Sequence, residues 1–311
     1  DAIPLDDNSI NKKDFFPVTV DFGNAKQIFH TGKSSIGIPG TLIGLIQAHK
    51  ELGKVPLENI LKPAIYYAKS GAIINKSQFY VMQLLEDILR HDPNSRNLYF
   101  DNDKLLNPGE IFKNEAFAFF LNEIIKYGFD DFYFGKMMKT ILGYLGKGSL
   151  LTVDNWSKYR VIKRKPLKFS YNENEILTNP SPSIGGRLIE LIFYFLKTYR
   201  NNYSDIDIAK GINLTNIVKT YIYTKSESMS YVDTIVKELQ KTPSFLNEEI
   251  KKRGFGSTTH VSVMDKKHNA VSITTTNGEG CGHLIPDYGI MPNNMLGEKD
   301  LNLFGFHKWK S

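Results

Sequence analysis

Residues 256–278 read Gly-Ser-Thr-Thr-His-Val-Ser-Val-Met-Asp-Lys-Lys-His-Asn-Ala-Val-Ser-Ile-Thr-Thr-Thr-Asn-Gly, and this stretch decides the fold. Apolar and β-branched residues alternate with polar ones in both halves of it: Val261, Val263, Val271, Ile273 and Thr275. A period of two over such a short run is typical of a strand. The polar residues 265–269 separate the two runs, so the pattern predicts a β-hairpin with one buried face.

Two threonines of this hairpin stand where chemistry is possible. Thr258 begins the first strand and Thr276 ends the second, so pairing across the turn brings the two hydroxyls together. A Thr hydroxyl is a weak nucleophile until a base takes its proton. The α-amino group of the same residue can be that base once the preceding peptide bond is cut, because its pKa is about 8. Threonine is also a favoured strand residue, and spacing alone leaves the purely structural interpretation open.

Several segments around the hairpin resemble the γ-glutamyltransferase family of N-terminal-nucleophile (Ntn) hydrolases: 257–260, 269–271, 274–276, 289–291 and 293–298. The run Gly37-Ile38-Pro39-Gly40, followed by two helical patterns, matches the large subunit of the same family more than 200 residues upstream. Members of this family are made as one precursor that cuts itself into a large and a small subunit. The matching motif opens the small subunit.

The resemblance implies catalytic roles for the two threonines. It makes Thr258 the nucleophile of both self-cleavage and catalysis, and it puts the scissile bond between Ser257 and Thr258. The second threonine of the family, which hydrogen-bonds the nucleophile, corresponds to Thr276.

The resemblance also implies two substrate-binding residues. Glu298 corresponds to the acidic residue that holds the substrate α-amino group, where many relatives carry Asp. Asn277 is the nearest match to the Asn that contacts the substrate α-carboxylate, although the loop 278–282 is shorter than in the best-known relatives.

The fold implied is α+β, an αββα four-layer sandwich with two antiparallel sheets between helical layers, which we expect to be incomplete. Residues 1–257 correspond to part of the large subunit and residues 258–311 to the start of the small one, and the two subunits pair. The expected substrates are γ-glutamyl amides such as glutathione, with water or an amino-acid or peptide amine as acceptor. We expect no cofactor and no metal.

Two parts of the family pattern have no counterpart in the chain. No Arg occurs in residues 1–89, whereas the family holds the substrate carboxylate with an early Arg, a bidentate partner. The downstream Gly-Gly pair that supplies oxyanion donors is not reached before Ser311. The chain is therefore expected to be an internal fragment of a precursor. A related acylase of the cephalosporin or glutaryl type, or an inactive relic, are the alternatives.

Composition excludes other classes of function. The net charge of +6 comes from scattered basic residues, and the one tight cluster, 163–165, precedes a proline without any nucleic-acid-binding motif. Cys281 is the only cysteine and the seven histidines are dispersed, so neither a disulfide nor a metal spacing is apparent. The longest apolar run, 188–196, is too short to span a bilayer. No signal peptide is recognisable, and the sequence does not indicate the cellular compartment of the protein.

Apolar periodicity also predicts the other elements. Residues 1–30 are expected to be irregular apart from a strand-like piece at 18–20. Helices are predicted over 41–52, 56–71, 77–90, 114–127, after residue 186, and over most of 206–243. Residues 166–171 and 175–178 are predicted to be two strands around a turn.

Overall fold

The computed structural model describes residues 14–23, 26–181, 183–197, 203–225, 258–299, 301–302 and 305–306. The chain divides into two compact units, one made of Asp1–Val161 with Arg253–Ser311 and the other of Ile162–Lys252. Ser257, and the part of the predicted helix that follows residue 225, lie outside the described residues.

The described residues form helices and short strands in alternation. The helices are α1 (Thr41–Leu52), α2 (Leu57–Ser70), α3 (Lys76–Leu84), α4 (Glu86–Leu89), α5 (Pro93–Tyr99), α6 (Glu115–Phe134), α7 (Lys136–Leu145), α8 (Val153–Lys158), α9 (Ile184–Lys197) and α10 (Asp205–Lys225). The strands are β1 (Phe16–Asp21), β2 (Lys26–Thr31), β3 (Ala72–Ile73), β4 (Phe100–Asp101), β5 (Lys104–Leu105), β6 (Ile111–Phe112), β7 (Leu167–Tyr171), β8 (Asn174–Thr178), β9 (Thr258–Met264) and β10 (Ala270–Thr276). Within the described residues, 3-10 turns lie at Lys33–Ser35, Gly146–Gly148 and Met295–Gly297. None of the helices in these ranges combines the length and the apolarity that crossing a membrane requires.

The helix pair α1–α2 forms as predicted. Gly53 follows α1, and Gly71, with a φ of 93° that favours glycine, follows α2. Pro56 precedes the first residue of α2, where its missing N–H costs no helical hydrogen bond. The upstream boundary of this pair is the Gly37–Gly40 segment, which has no regular secondary structure and ends at Gly40, the N-cap of α1.

The helix predicted over 77–90 is broken, so that prediction is wrong in extent. Asn75 caps α3 by accepting a hydrogen bond from the Gln78 backbone, and the helix ends at Leu84. Leu85 leaves the helical region, with φ −101° and ψ 11°. The separate short helix α4 then buries Ile88 and Leu89.

Helix α6 extends further than predicted. Asn114 caps it by accepting from the Phe117 backbone N–H, as a polar N-cap should. Gly128 adopts φ 73° inside it, which kinks the helix and lets a second helical segment run on to Phe134.

The core of the first unit is built mostly from α6, α7 and α8. Trp156, Tyr133 and Met137 are at most 1% exposed. Cys281 and Ile285, from the loop after β10, pack into the same cluster. The loop that follows the hairpin is therefore anchored by apolar burial.

The strands form two-stranded antiparallel sheets throughout the described ranges. Residues 26–30 were expected to be irregular, but they belong to β2, which pairs with β1. The β9–β10 hairpin forms with its turn at 265–269, as predicted. The prediction that one face of the hairpin is buried is wrong, because Val261 and Val271 are 52% and 55% exposed. The apolar face exists, but no third described strand extends the sheet and the face is left open to solvent.

In its described part, the second unit contains the predicted β7–β8 hairpin and the helices α9 and α10. Asn172 takes the left-handed φ of 53° in the turn, which asparagine tolerates. Phe169 and Tyr171 pack their rings against Phe193 of α9, where Leu191 and Leu196 are buried.

Candidate active site

The register of the hairpin brings the two candidate threonines together. Thr258 is the Cα partner of Thr276 at the open end of the β9–β10 ladder. Residues directly opposite in an antiparallel pair direct their side chains to the same face. Both hydroxyls therefore belong to one face of the hairpin, as the spacing predicted.

A polar network covers the same face. His260 Nδ1 lies 2.7 Å from Thr274 Oγ1, and His260 Nε2 lies 3.0 Å from Ser262 Oγ. The hydroxyls of Ser262 and Ser272 are 2.9 Å apart. Since these partners come from both strands, the network fixes the register that sets Thr258 against Thr276.

The chain after Thr276 turns tightly toward Glu298. The Gly278 N–H donates to Thr276 Oγ1 over 3.0 Å, and Gly278 has a φ of 60°. A Cβ on Gly278 would lie 2.6 Å from Glu298 Oε1 and 2.0 Å from Asn294 Oδ1. The Glu298 carboxylate is thus within a few ångströms of the end of β10, and only glycine leaves room for it.

Two adjacent asparagines hold this loop. Asn294 is fully buried; it accepts from the Glu279 N–H over 3.0 Å and donates to the His30 carbonyl over 3.3 Å. Its own N–H donates to the Asn277 carbonyl over 3.2 Å. The backbone of Asn277 is therefore held in place, although Asn277 as a whole is exposed to solvent.

Asn293 connects the loop to the Gly37–Gly40 segment. Its Oδ1 accepts from the Gly37 N–H and its Nδ2 donates to the Gly37 carbonyl, both over 2.9 Å. Gly37 and Asn293 belong to two segments that resemble the family, and they are separated by 256 residues in sequence. In space they meet through a single side chain.

The meeting point borders a groove of about 660 Å³. Its walls come from the Gly37–Gly40 segment, α1, the end of β10 and the loop after the hairpin, and they include Thr276, Asn277 and Asn293. Pro39 in one wall accepts a hydrogen bond from the Tyr133 hydroxyl. Burial raises the pKa of Tyr133, which keeps that hydroxyl protonated as a donor.

Of the residues singled out from the sequence, Thr258, Thr276, Asn277 and Glu298 lie around one end of the hairpin. Ser257 lies outside the described residues. Asn293 and Asn294 lie in a segment whose sequence resembles the family, but the sequence alone indicates no role for them. Two polar residues between apolar Pro292 and Met295 were the available signal.

A profile of the gamma-glutamyltranspeptidase family matches residues 10–308. The chain belongs to this family. Glutathione hydrolase 2 of Arabidopsis thaliana is 28% identical over 306 residues, covering 88% of this chain and 52% of that protein. The glutathione hydrolase proenzyme of Escherichia coli K12 is 25% identical over 292 residues, covering 86% and 50%.

This γ-glutamyltranspeptidase-family chain spans about half the length of the curated relatives it matches. Among solved structures, cephalosporin acylase from Bacillus halodurans superposes with a TM-score of 0.67 at 19% identity, over 90% of this chain and 60% of that one. The predicted fold class, an α+β fold of the Ntn-hydrolase type, is confirmed.

Proposed function

We propose that the chain is part of an Ntn hydrolase that transfers or hydrolyses γ-glutamyl groups through an acyl-enzyme on Thr258. The observation that carries the proposal is the convergence at one groove of two family segments distant in sequence. Gly37 is bonded to Asn293, and the loop of Asn293 also brings Glu298 beside the end of β10. The pairing of Thr258 with Thr276 on the neighbouring strand supports the same assignment.

Self-cleavage would come first. The Thr258 hydroxyl attacks the carbonyl carbon of Ser257, the peptide C–N bond breaks, and the acyl group moves from nitrogen to oxygen. Water then hydrolyses the ester, which leaves Ser257 with a carboxylate and Thr258 with a free hydroxyl and a free α-amino group. Under this proposal residues 1–257 belong to the large subunit, residues 258–311 to the small one, and the two remain paired.

Catalysis would use the new terminus. The α-amine takes the proton of the Thr258 hydroxyl as its oxygen attacks the γ-carbonyl of the substrate, and the leaving amine receives that proton. The resulting γ-glutamyl ester is resolved by water or by the amine of an amino acid or peptide. Both halves pass through an oxyanion, which fixed N–H donors must stabilise.

The remaining residues would bind and position. Glu298 offers a carboxylate to the substrate α-ammonium, and Asn277 offers an amide to its α-carboxylate. Thr276, whose Oγ1 already accepts from Gly278, would orient the nucleophile from the opposite strand. No cofactor enters any of these steps.

Intact-mass measurement tests the proposal on this chain and, in parallel, on any longer natural precursor that contains it. The wild type should yield two pieces, the smaller beginning at Thr258, and Thr258→Ala should remain whole. Thr259→Ala is the matched control, because the neighbouring threonine projects from the opposite face of β9 and its loss should leave cleavage intact. An uncut wild-type precursor, or cleavage of Thr258→Ala, would refute the mechanism.

A related acylase activity is the second candidate, favoured by the similarity of the fold to a cephalosporin acylase over 90% of the chain. A panel of γ-glutamyl and glutaryl amides, assayed on the cleaved protein, separates the two. Faster turnover of γ-glutamyl amides supports the first proposal, and faster turnover of glutaryl amides supports the second. A cleaved protein that turns over neither is an inactive relic.

A further inference from the structure

Three side chains from distant parts of the first unit converge away from the groove. Asp14 precedes β1, His91 lies between α4 and α5, and His283 lies in the loop after β10. One ligand atom of each lies within 4.8 Å of the corresponding atoms of the other two. Their wide separation in sequence explains why histidine spacing gave no metal signal.

The geometry of the cluster is close to that of a metal site. His283 Nε2 is 2.5 Å from Asp14 Oδ2. The rings of His91 and His283 are 5.0 Å apart and nearly perpendicular, at 87°. Tetrahedral zinc, with bonds of about 2.0–2.1 Å to nitrogen and oxygen, sets its ligand atoms roughly 3.4 Å apart. Small side-chain rotations therefore convert the cluster into three ligands of one ion.

A fourth residue supplies the outer support that metal-bound histidines usually have. Asp92 Oδ1 lies 3.8 Å from His283 Nδ1, on the side of the ring away from Asp14. Its carboxylate is held by the backbone N–H groups of Ser95 and Leu284 and by the Tyr144 hydroxyl. With Nε2 on a metal, the Nδ1–H of His283 would point to this fixed carboxylate. That carboxylate–histidine–metal arrangement sets the tautomer and strengthens the ligand.

We propose that Asp14, His91 and His283 form a site for one divalent transition-metal ion, with Zn²⁺ as the preferred occupant and a fourth position open to water. Two imidazoles and one carboxylate suit zinc and the other divalent first-row transition metals, whereas calcium and magnesium require oxygen ligands. His91 is exposed, which gives the ion an entry path.

The site goes beyond the proposed function, because it lies outside the groove and its occupancy can be measured without turnover. An ion there would join three segments: the chain before β1, the α4–α5 junction and the loop that leads to Asn293 and Asn294. Its effect is therefore to fix the loop after the hairpin, and metal should raise the melting temperature.

The test is zinc titration of the full chain, without a polyhistidine tag and after treatment with a chelator, against a chromophoric zinc indicator. The wild type should bind one zinc at micromolar or lower concentration and melt at a higher temperature with zinc present. His91→Ala and Asp14→Asn should each weaken binding at least tenfold. Asp92→Asn, which keeps one side-chain oxygen to accept from the backbone N–H groups of Ser95 and Leu284, should weaken it roughly 10- to 100-fold.

His268→Asn is the matched control. His268 is an exposed histidine in the β9–β10 turn with a φ of 63°, which asparagine also tolerates, so its replacement should leave zinc affinity unchanged. Circular dichroism of each variant shows whether it is folded. Two results would overturn the proposal: no zinc bound at micromolar concentration, which would mean a simple His283–Asp14 pair, or binding that survives both His91→Ala and Asp14→Asn in folded protein.

Discussion

Replacing Asn293 with alanine should separate the Gly37–Gly40 segment from the loop after the hairpin. The Asn293 side chain is 8% exposed and makes two hydrogen bonds to Gly37, each of 2.9 Å, plus one from the Met295 N–H of 3.1 Å. Alanine lacks the side-chain amide, so the substitution removes all three hydrogen bonds at once. The change leaves the backbone of Gly37 without its donor and its acceptor.

These three hydrogen bonds set the size of the stability loss. A typical intramolecular hydrogen bond contributes about 1 kcal/mol net, and a buried group left without a partner costs about 1–3 kcal/mol. Gly37 is half-buried, so water recovers part of the loss. We expect Asn293→Ala to lower the free energy of unfolding of the first unit by about 2–4 kcal/mol.

Two measurements check this value. Urea unfolding followed by tryptophan fluorescence reports on the core, because Trp156 is buried in it. Hydrogen exchange at the Gly37 amide reports on the bond itself and should be faster by roughly 30-fold or more, since about 1.4 kcal/mol corresponds to a factor of ten. Asn122→Ala, an exposed change on α6, is the control and should stay within about 0.5 kcal/mol of wild type. An unchanged Gly37 exchange rate in Asn293→Ala would refute the proposed connection.

Two further predictions follow from the loop after the hairpin. Gly278→Ala should destabilise the first unit by about 1–3 kcal/mol in urea unfolding, because the residue has φ 60° and its new Cβ would lie 2.0 Å from Asn294 Oδ1. Gly146→Ala is the control, because Gly146 has a φ of 56° but a Cβ there would meet no atom within 4 Å. It should lower the free energy of unfolding by less, and an equal loss would refute the steric explanation. Burial raises the pKa of Cys281 to about 12, so at pH 8 only about one thiol in ten thousand is ionised. Iodoacetamide should label it rapidly only after unfolding, and rapid labelling of the native protein would contradict its burial.

The parts of the site that lie on one regular element were predictable. Alternation identified both strands of the hairpin, and counting back from the polar turn paired Thr258 with Thr276, which the register confirms. Helix α1 was predicted to the residue, because apolar periodicity and Gly53 mark both its face and its end. Such features depend on local geometry alone.

Features that depend on tertiary contacts could not be read in the same way. An alternating pattern states that Val261 and Val271 share an apolar face, but burial needs a covering element, and these residues stay more than half exposed. The break at Leu85 has no glycine or proline to announce it. The Asp14–His91–His283 cluster is assembled only by the fold, so no sequence spacing encodes it.

The candidate site depends on one buried dipeptide more than on the hairpin itself. Asn293 holds Gly37, while Asn294 holds the His30 carbonyl at the end of β2, the Glu279 N–H and the Asn277 carbonyl. Successive residues thus fix the Gly37–Gly40 segment on one side and the chain after Thr276 on the other. Buried amides satisfied at every atom specify a single geometry, because any shift leaves a polar group without a partner in a low-dielectric environment. The hairpin, open to solvent on its apolar face, gains its position relative to the groove from that dipeptide.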